Sequence, residues 1–190
     1  MRLFIALEPP QSLYDELCRA LSFFQSLKHK GINWVRPENL HLTVNFIGEV
    51  AEHRVGELSR VIAQQVARYA PPVLKAEGIE LFPYVSPRLV WLKLSGDSRD
   101  LMVLNRQLLS SLRELKIEAD PKKLKLHVTL CRLKEAQSPD FERAVLSYEV
   151  PSEPQIWDTL SLYRSVLSPQ GPRYDIIEQY NLNKRRNNAG

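Results

Sequence analysis

Two short stretches of this 190-residue chain carry residue types suited to moving protons at neutral pH. His41-Leu42-Thr43-Val44-Asn45-Phe46 and Lys125-Leu126-His127-Val128-Thr129-Leu130 each place a histidine two positions before a threonine. Successive side chains of an extended chain point to opposite faces. His41, Thr43 and Asn45 should therefore share one polar face, and Lys125, His127 and Thr129 another, with the apolar residues between them facing inward. A lone His-x-Thr is ordinarily a polar strand edge facing water. With four histidines in the chain, two of its three threonines acquire such a partner by chance about once in a thousand, so the repetition is a signal.

An unperturbed imidazole titrates near pH 6.5, so one ring of a pair can hold a proton while the other accepts one. A threonine hydroxyl can donate to a nonbridging phosphate oxygen. Together these groups suit hydrolysis of a phosphodiester, in which water loses a proton and the leaving alkoxide gains one. Zinc or two-metal catalysis would gather several His and carboxylate ligands, and neither polar face holds an Asp or Glu. No metal and no cofactor is expected. His29 and His53 lie on or beside amphipathic helices and are expected at the surface. The chain has neither a Gly-rich phosphate loop nor a Ser or Cys nucleophile signature.

The surrounding elements alternate. Leu3 to Leu7 reads as a strand buried on both faces, stopped by Pro9 and Pro10. A helix follows through Leu13, Leu17, Ala20, Leu21, Phe24 and Leu27, with Ser12 as its N-cap and Gly31 as its end. Trp34 to Arg36 leads to Pro37, then a strand from Leu40 to Ile47 ends at Gly48. Val55 to Tyr69 is a second helix, and Val73 to Leu81, weakened at Gly78, and Arg88 to Leu94 are strands. The first half thus reads β, α, β, β, α, β, β. Leu101 to Leu112 is a third helix, Lys123 to Arg132 a strand, and Asp140 to Ser147 a short helix behind Ser138 and Pro139. Gln155 to Leu167 and Arg173 to Leu182 flank Pro169, Gln170, Gly171 and Pro172 as a closing hairpin.

Composition fits an ordinary globule, with 44% apolar and 25% charged residues. Cys18 and Cys131 have no metal or redox spacing, and two cysteines build no disulfide framework. No apolar run approaches the roughly 20 residues of a membrane helix, and Leu3 to Leu7 is too short for a signal peptide. A cytoplasmic monomer is expected, without membrane or obligate protein partner. The net charge is +4, but Lys184, Arg185 and Arg186 supply three of these charges. Residues 184–190 therefore read as a basic, solvated tail behind a domain spanning 1–183.

The sequence resembles the 2H phosphoesterase family, in its branch of RNA 2',3'-cyclic phosphodiesterases, also called 2'-5' RNA ligases. The resemblance rests on the opening Arg2 to Leu7, on Trp34-Val35-Arg36-Pro37-Glu38-Asn39-Leu40 before His41-Leu42-Thr43-Val44, and on Phe46-Ile47-Gly48 after it. It continues through His127-Val128-Thr129-Leu130 with Arg132, Leu162 to Ser165, and Gly171 to Tyr174. It implies a bilobal α+β LigT-like fold in which two antiparallel sheets with outer helices face each other about a pseudo-twofold axis, one His-x-Thr strand per lobe. It also implies metal-independent opening of a terminal 2',3'-cyclic phosphate to a 2'-phosphate, on RNA ends or small nucleotide cyclic phosphates. His41 would be the proton donor and His127 the acceptor, with Thr43 and Thr129 on the phosphate oxygens. The alternatives are a 2'-5' ligase running the same chemistry backwards and a binding module for RNA ends without turnover.

Three positions depart from this pattern: Asn45 where an Arg is common, Leu126 where a Pro often precedes the histidine, and Cys131 where Ala is usual. Arg132 and Lys125 become candidates to replace the missing cation. Strict alternation puts Arg132 on the apolar side, so it can join His127 only if the strand ends or bulges there. Tyr163, Trp34 and Phe46 are candidates to stack a terminal base, although core packing is the expected role of each.

Overall fold

A computed structural model describes residues 1–168 and 171–182. Its elements are β1 (Arg2–Leu7), α1 (Gln11–Ser26), β2 (Ile32–Trp34), β3 (Leu42–Glu49), α2 (Val55–Val66), β4 (Val73–Phe82), β5 (Leu89–Asp97), α3 (Arg99–Glu114), β6 (His127–Leu133), α4 (Pro139–Leu146), β7 (Gln155–Ile156), β8 (Thr159–Val166) and β9 (Arg173–Asn181). They form two antiparallel sheets, ordered β3-β1-β8-β9 and β2-β6-β5-β4-β7. The α+β class with two antiparallel sheets is the one the family resemblance implies. Among the described residues no helix is long and apolar enough to cross a membrane.

Each sheet turns one face to a shared core. Leu3, Ile5 and Leu7 of β1, Leu160 and Leu162 of β8, and Val90, Leu92 and Leu94 of β5 are buried there, with the leucines of α3. Phe24 of α1 packs between Trp34 of β2 and Phe141 of α4, with centroids 6.5 Å apart in both pairs. Trp34 is therefore partly buried against the core. The opposite face of the four-stranded sheet carries a separate small cluster of Phe4, Ala6, Tyr163 and Tyr174.

Several boundaries differ from the pattern in the sequence. Ser12 does not cap α1: Pro10 occupies that position, and the Ser12 hydroxyl donates to Gln155 of β7 at 2.8 Å. Helix α1 stops at Ser26, before Gly31, because Lys28 takes the left-handed φ of 55° that reverses the chain. Gly78 marks a bulge in β4, with φ of 145° and a register shift between Ala76 and Gly78, a conformation open to glycine. Strand β3 runs past Gly48 to Glu49. Strand β6 begins only at His127, so Lys125 precedes it. Ser138 caps α4, its hydroxyl accepting from the Phe141 amide at 3.3 Å. The closing hairpin is β8 with β9, but Gln155 and Ile156 are not part of its first arm: they form β7, paired with β4 in the other sheet. The hairpin's turn residues Pro169 and Gln170, and the basic tail 184–190, lie outside the described residues.

Candidate active site

The two His-x-Thr segments stand one in each sheet, at the start of β3 and of β6. Their local geometry repeats. His41 Nδ1 lies 2.6 Å from the carbonyl oxygen of Asn39, and His127 Nδ1 lies 3.1 Å from that of Lys125. A carbonyl only accepts, so in both rings Nδ1 carries the proton, and in the neutral form Nε2 is the free lone pair. His41 Nε2 is 3.0 Å from Thr43 Oγ1, whose hydroxyl donates to it. Asn39 is buried and held in turn, its Nδ2 donating to Pro172 O at 2.8 Å.

The two rings lie within electrostatic reach of one another. Positive charge on His127 opposes protonation of His41. Arg132 acts electrostatically on His127 and also on Tyr174, and the Tyr174 ring stands edge-on to His41 at 5.4 Å. Phe4 lies 5.1 Å from His41, and Tyr163 stacks on Phe4 at 5.0 Å. Burial behind these rings pushes His41 down to about 4, against the backbone acceptor at Asn39, which favours the protonated ring. His127 is also lowered, first by burial and then by the charges of Lys125 and Arg132, again against its carbonyl acceptor. Both imidazoles are thus neutral at pH 7 in the free protein.

A bulge follows each motif and decides what comes next. In the β1–β3 ladder Ala6 pairs with Thr43 and Ile5 with Asn45, leaving Val44 as an extra residue. In the β5–β6 ladder Trp91 pairs with Thr129 and Val90 with Cys131, leaving Leu130 as the extra one. An extra residue reverses the side-chain alternation beyond it. Asn45 therefore does not share the face of His41 and Thr43, which corrects the expectation from strict alternation. It is buried on the core side, and its Nδ2 donates to Asn105 O at 3.3 Å. By the same reversal Cys131 turns into the core, where burial pushes its thiol up to about 12. Arg132 returns to the outward face that His127 and Thr129 occupy, and Phe46, half exposed at 51%, takes the equivalent place on β3.

The two bulged carbonyls are satisfied differently. Leu130 O accepts from the Val35 amide at 2.9 Å, because β6 has β2 as a neighbour on that side. Strand β3 is an edge strand, and a side chain does the same work: Asn105 of α3 donates from Nδ2 to Val44 O at 2.8 Å. Asn105 sits among Leu101, Leu104, Leu108 and Leu112 on the buried face of α3. An amide on a leucine stripe was the available sign of such a partner.

Lys125 is exposed and stands with its Nζ 4.6 Å above the centroid of Phe82. Tyr163 is buried, and its hydroxyl donates to Glu8 Oε1 at 3.2 Å, so it backs the groove without presenting a free ring face. Ser161 and Gln179 donate to the same Glu8 oxygen at 2.5 and 2.8 Å. Sequence reading missed Glu8, Asn39 and Asn105. His53 is exposed as expected, whereas His29 is partly buried with its ring 5.0 Å from Phe141. Among the described residues no three His, Cys, Asp or Glu side chains are grouped to hold a metal ion.

Comparison with known proteins places this geometry in a lineage. Residues 7–91 match the family model described as LigT like Phosphoesterase. The chain is 30% identical to an RNA 2',3'-cyclic phosphodiesterase of Archaeoglobus fulgidus, over 92% of this chain and 96% of that one. It is 29% identical to an RNA 2',3'-cyclic phosphodiesterase of Thermotoga maritima, covering 93% of both. The crystal structure of a Thermus thermophilus protein, TT0787, superposes with a TM-score of 0.79 at 27% identity, over 98% of this chain and 100% of that one. The chain belongs to the LigT-like branch of the 2H phosphoesterases.

Proposed function

We propose that this protein hydrolyses terminal 2',3'-cyclic phosphates of RNA to 2'-phosphates, with His41 and His127 as acid and base. The observation carrying this reading is the repeated ring geometry: each imidazole is fixed through Nδ1 to the carbonyl two residues before it, and the two rings are electrostatically coupled. His127 Nε2 takes a proton from water as its oxygen attacks phosphorus. The bond from phosphorus to O3' breaks, and the His41 imidazolium gives its Nε2 proton to that oxygen. The products are a 2'-phosphate and a 3'-hydroxyl.

The charge states support one acid and one base, while the assignment of acid to His41 and base to His127 follows the family resemblance. An incoming phosphodiester anion favours imidazolium in a groove where burial disfavours it, so substrate itself loads one ring. Like-charge repulsion then keeps the other ring neutral, as a base must be. A buried imidazolium also surrenders its proton readily to an alkoxide. Thr43 and Thr129 serve as hydroxyl donors to the nonbridging oxygens, Arg132 and Lys125 supply positive charge beside His127, and Phe46 offers an exposed ring to the terminal base. Each proton transfer contributes about 10² to 10⁴ in rate.

The test is incubation of an RNA oligonucleotide bearing a terminal 2',3'-cyclic phosphate with the protein in excess chelator. Quantitative conversion to a 2'-phosphate end is expected. No product, or turnover only when divalent metal is restored, rejects the mechanism.

A further inference from the structure

The β4–β5 hairpin carries a row of side chains that two-histidine chemistry does not need. Trp91 lies beside His127 with centroids 4.5 Å apart, and Phe82 stacks on Trp91 at 3.9 Å with planes 21° apart. Lys125 Nζ stands 4.6 Å from the Phe82 centroid and 5.8 Å from that of Trp91. Beyond Phe82 the hairpin turns, and at its tip Tyr84 and Val85 are 88% and 93% exposed. Arg132 is in register with Leu89 on the same hairpin.

Charge on this row is one-sided. Beside Trp91, Glu80 accepts from Trp91 Nε1 at 3.5 Å and from Lys93 Nζ at 3.4 Å, and further along the same face Glu77 pairs with Lys75 at 3.4 Å. With Lys93 offset by Glu80, the charges of Lys125 and Arg132 remain in excess. Aromatic rings interleaved with cations, ending in an uncovered tyrosine, are the features by which proteins hold single-stranded nucleic acid: bases stack and phosphates meet cations. A 2',3'-cyclic phosphate can only stand at a 3' end, so the rest of its chain must leave through the 5' oxygen of the terminal nucleoside.

We propose that Lys125, held over the packed Phe82–Trp91 stack, and the hairpin-tip Tyr84, whose ring is uncovered, form a second binding site beside His127, which holds the phosphate and base immediately upstream of the reacting end. The preferred substrate is then an oligonucleotide rather than a cyclic mononucleotide. This inference rests on the phosphodiesterase reading and adds a residue, Tyr84, that the chemistry does not use.

The experiment compares kcat/KM for adenosine 2',3'-cyclic phosphate and for a trinucleotide ending in the same group, in wild-type protein and in the Tyr84→Ser and Lys125→Gln variants. Stacking of one added base predicts a trinucleotide preference of about 5- to 150-fold in the wild type. Both variants should lower that ratio, and Lys125→Gln should also flatten the salt dependence of the trinucleotide by about one phosphate contact. A wild-type ratio near one, or an unchanged ratio in both variants, overturns the second site and leaves the phosphodiesterase reading intact. If neither substrate is turned over, that reading fails instead. Fluorescence anisotropy with a labelled trinucleotide 2'-phosphate then decides the site by itself, weaker binding to Tyr84→Ser supporting it and equal binding overturning it.

Discussion

Burial of His41 makes acid the condition under which this fold should weaken, and by a calculable amount. The ring titrates at about 4 in the folded protein against 6.5 ordinarily. At 1.36 kcal/mol per pH unit, that difference amounts to about 3 kcal/mol at most. Between those two pH values the unfolded chain binds the proton and the folded one does not. The contribution is therefore complete above pH 6.5, falls as pH drops through the interval, and levels off below about 4. At pH 5 about 2 kcal/mol should be gone. The assay is urea unfolding of wild type and His41→Gln at pH 7.5 and pH 5, since subtraction cancels the other titrating groups. With a slope of about 2 kcal/mol per molar urea, the midpoint difference between the proteins should move by about 1 M in favour of the variant at pH 5. An unchanged difference would mean that His41 is not held neutral by burial, and the account of its charge state would be wrong.

Other parts of the site make separate predictions. Replacing Asn105 by Leu leaves Val44 O without its donor in a buried edge, so stability should fall by about 1 to 3 kcal/mol in urea titration, with loss of turnover as Thr43 loses its fixed bulge. The Arg132→Ala variant removes a charge that depresses His127, so the His127 ring should titrate at higher pH by NMR, while inorganic phosphate inhibits less well than in wild type. Cys131 is fully buried with its thiol pushed up to about 12, whereas Cys18 is only partly buried. A thiol reagent applied to the native protein should modify Cys18 and spare Cys131 until urea is added.

How much of this was legible in the sequence depends on where alternation holds. His41 and Thr43, like His127 and Thr129, sit before their bulges, and period-two reasoning assigns their faces correctly. Asn45, Phe46, Cys131 and Arg132 sit after them and are each assigned to the wrong face. Val44 and Leu130 are unremarkable apolar residues, and nothing in their type announces an extra residue in the ladder. The arginine on a nominally buried face was itself the clue, because a guanidinium in a core is costly. Strand β2 is three residues long and is specified by its partner β6 rather than by its own pattern. The residues just before His127 read as strand because Leu124 and Leu126 alternate with lysines, yet the ladder to β5 reaches only to His127. Amphipathic helices α2, α3 and α4 were readable within a few residues, since leucine spacing fixes a helix face locally. The proposed pairing of the two histidines is a long-range relation, and in the sequence only the repetition of their motif announces it.

The central claim is that two imidazoles act on opposite sides of one phosphorus atom in a single step. A double-mutant cycle on kcat/KM for a cyclic-phosphate RNA, with His41→Ala, His127→Ala and both together, addresses it most directly. Each single variant should lose about 10² to 10⁴ in rate, and the double variant should be little slower than the worse single one, because a step lacking either partner gains little from the other. Near-wild-type turnover in either single variant, or losses that simply multiply, would contradict it.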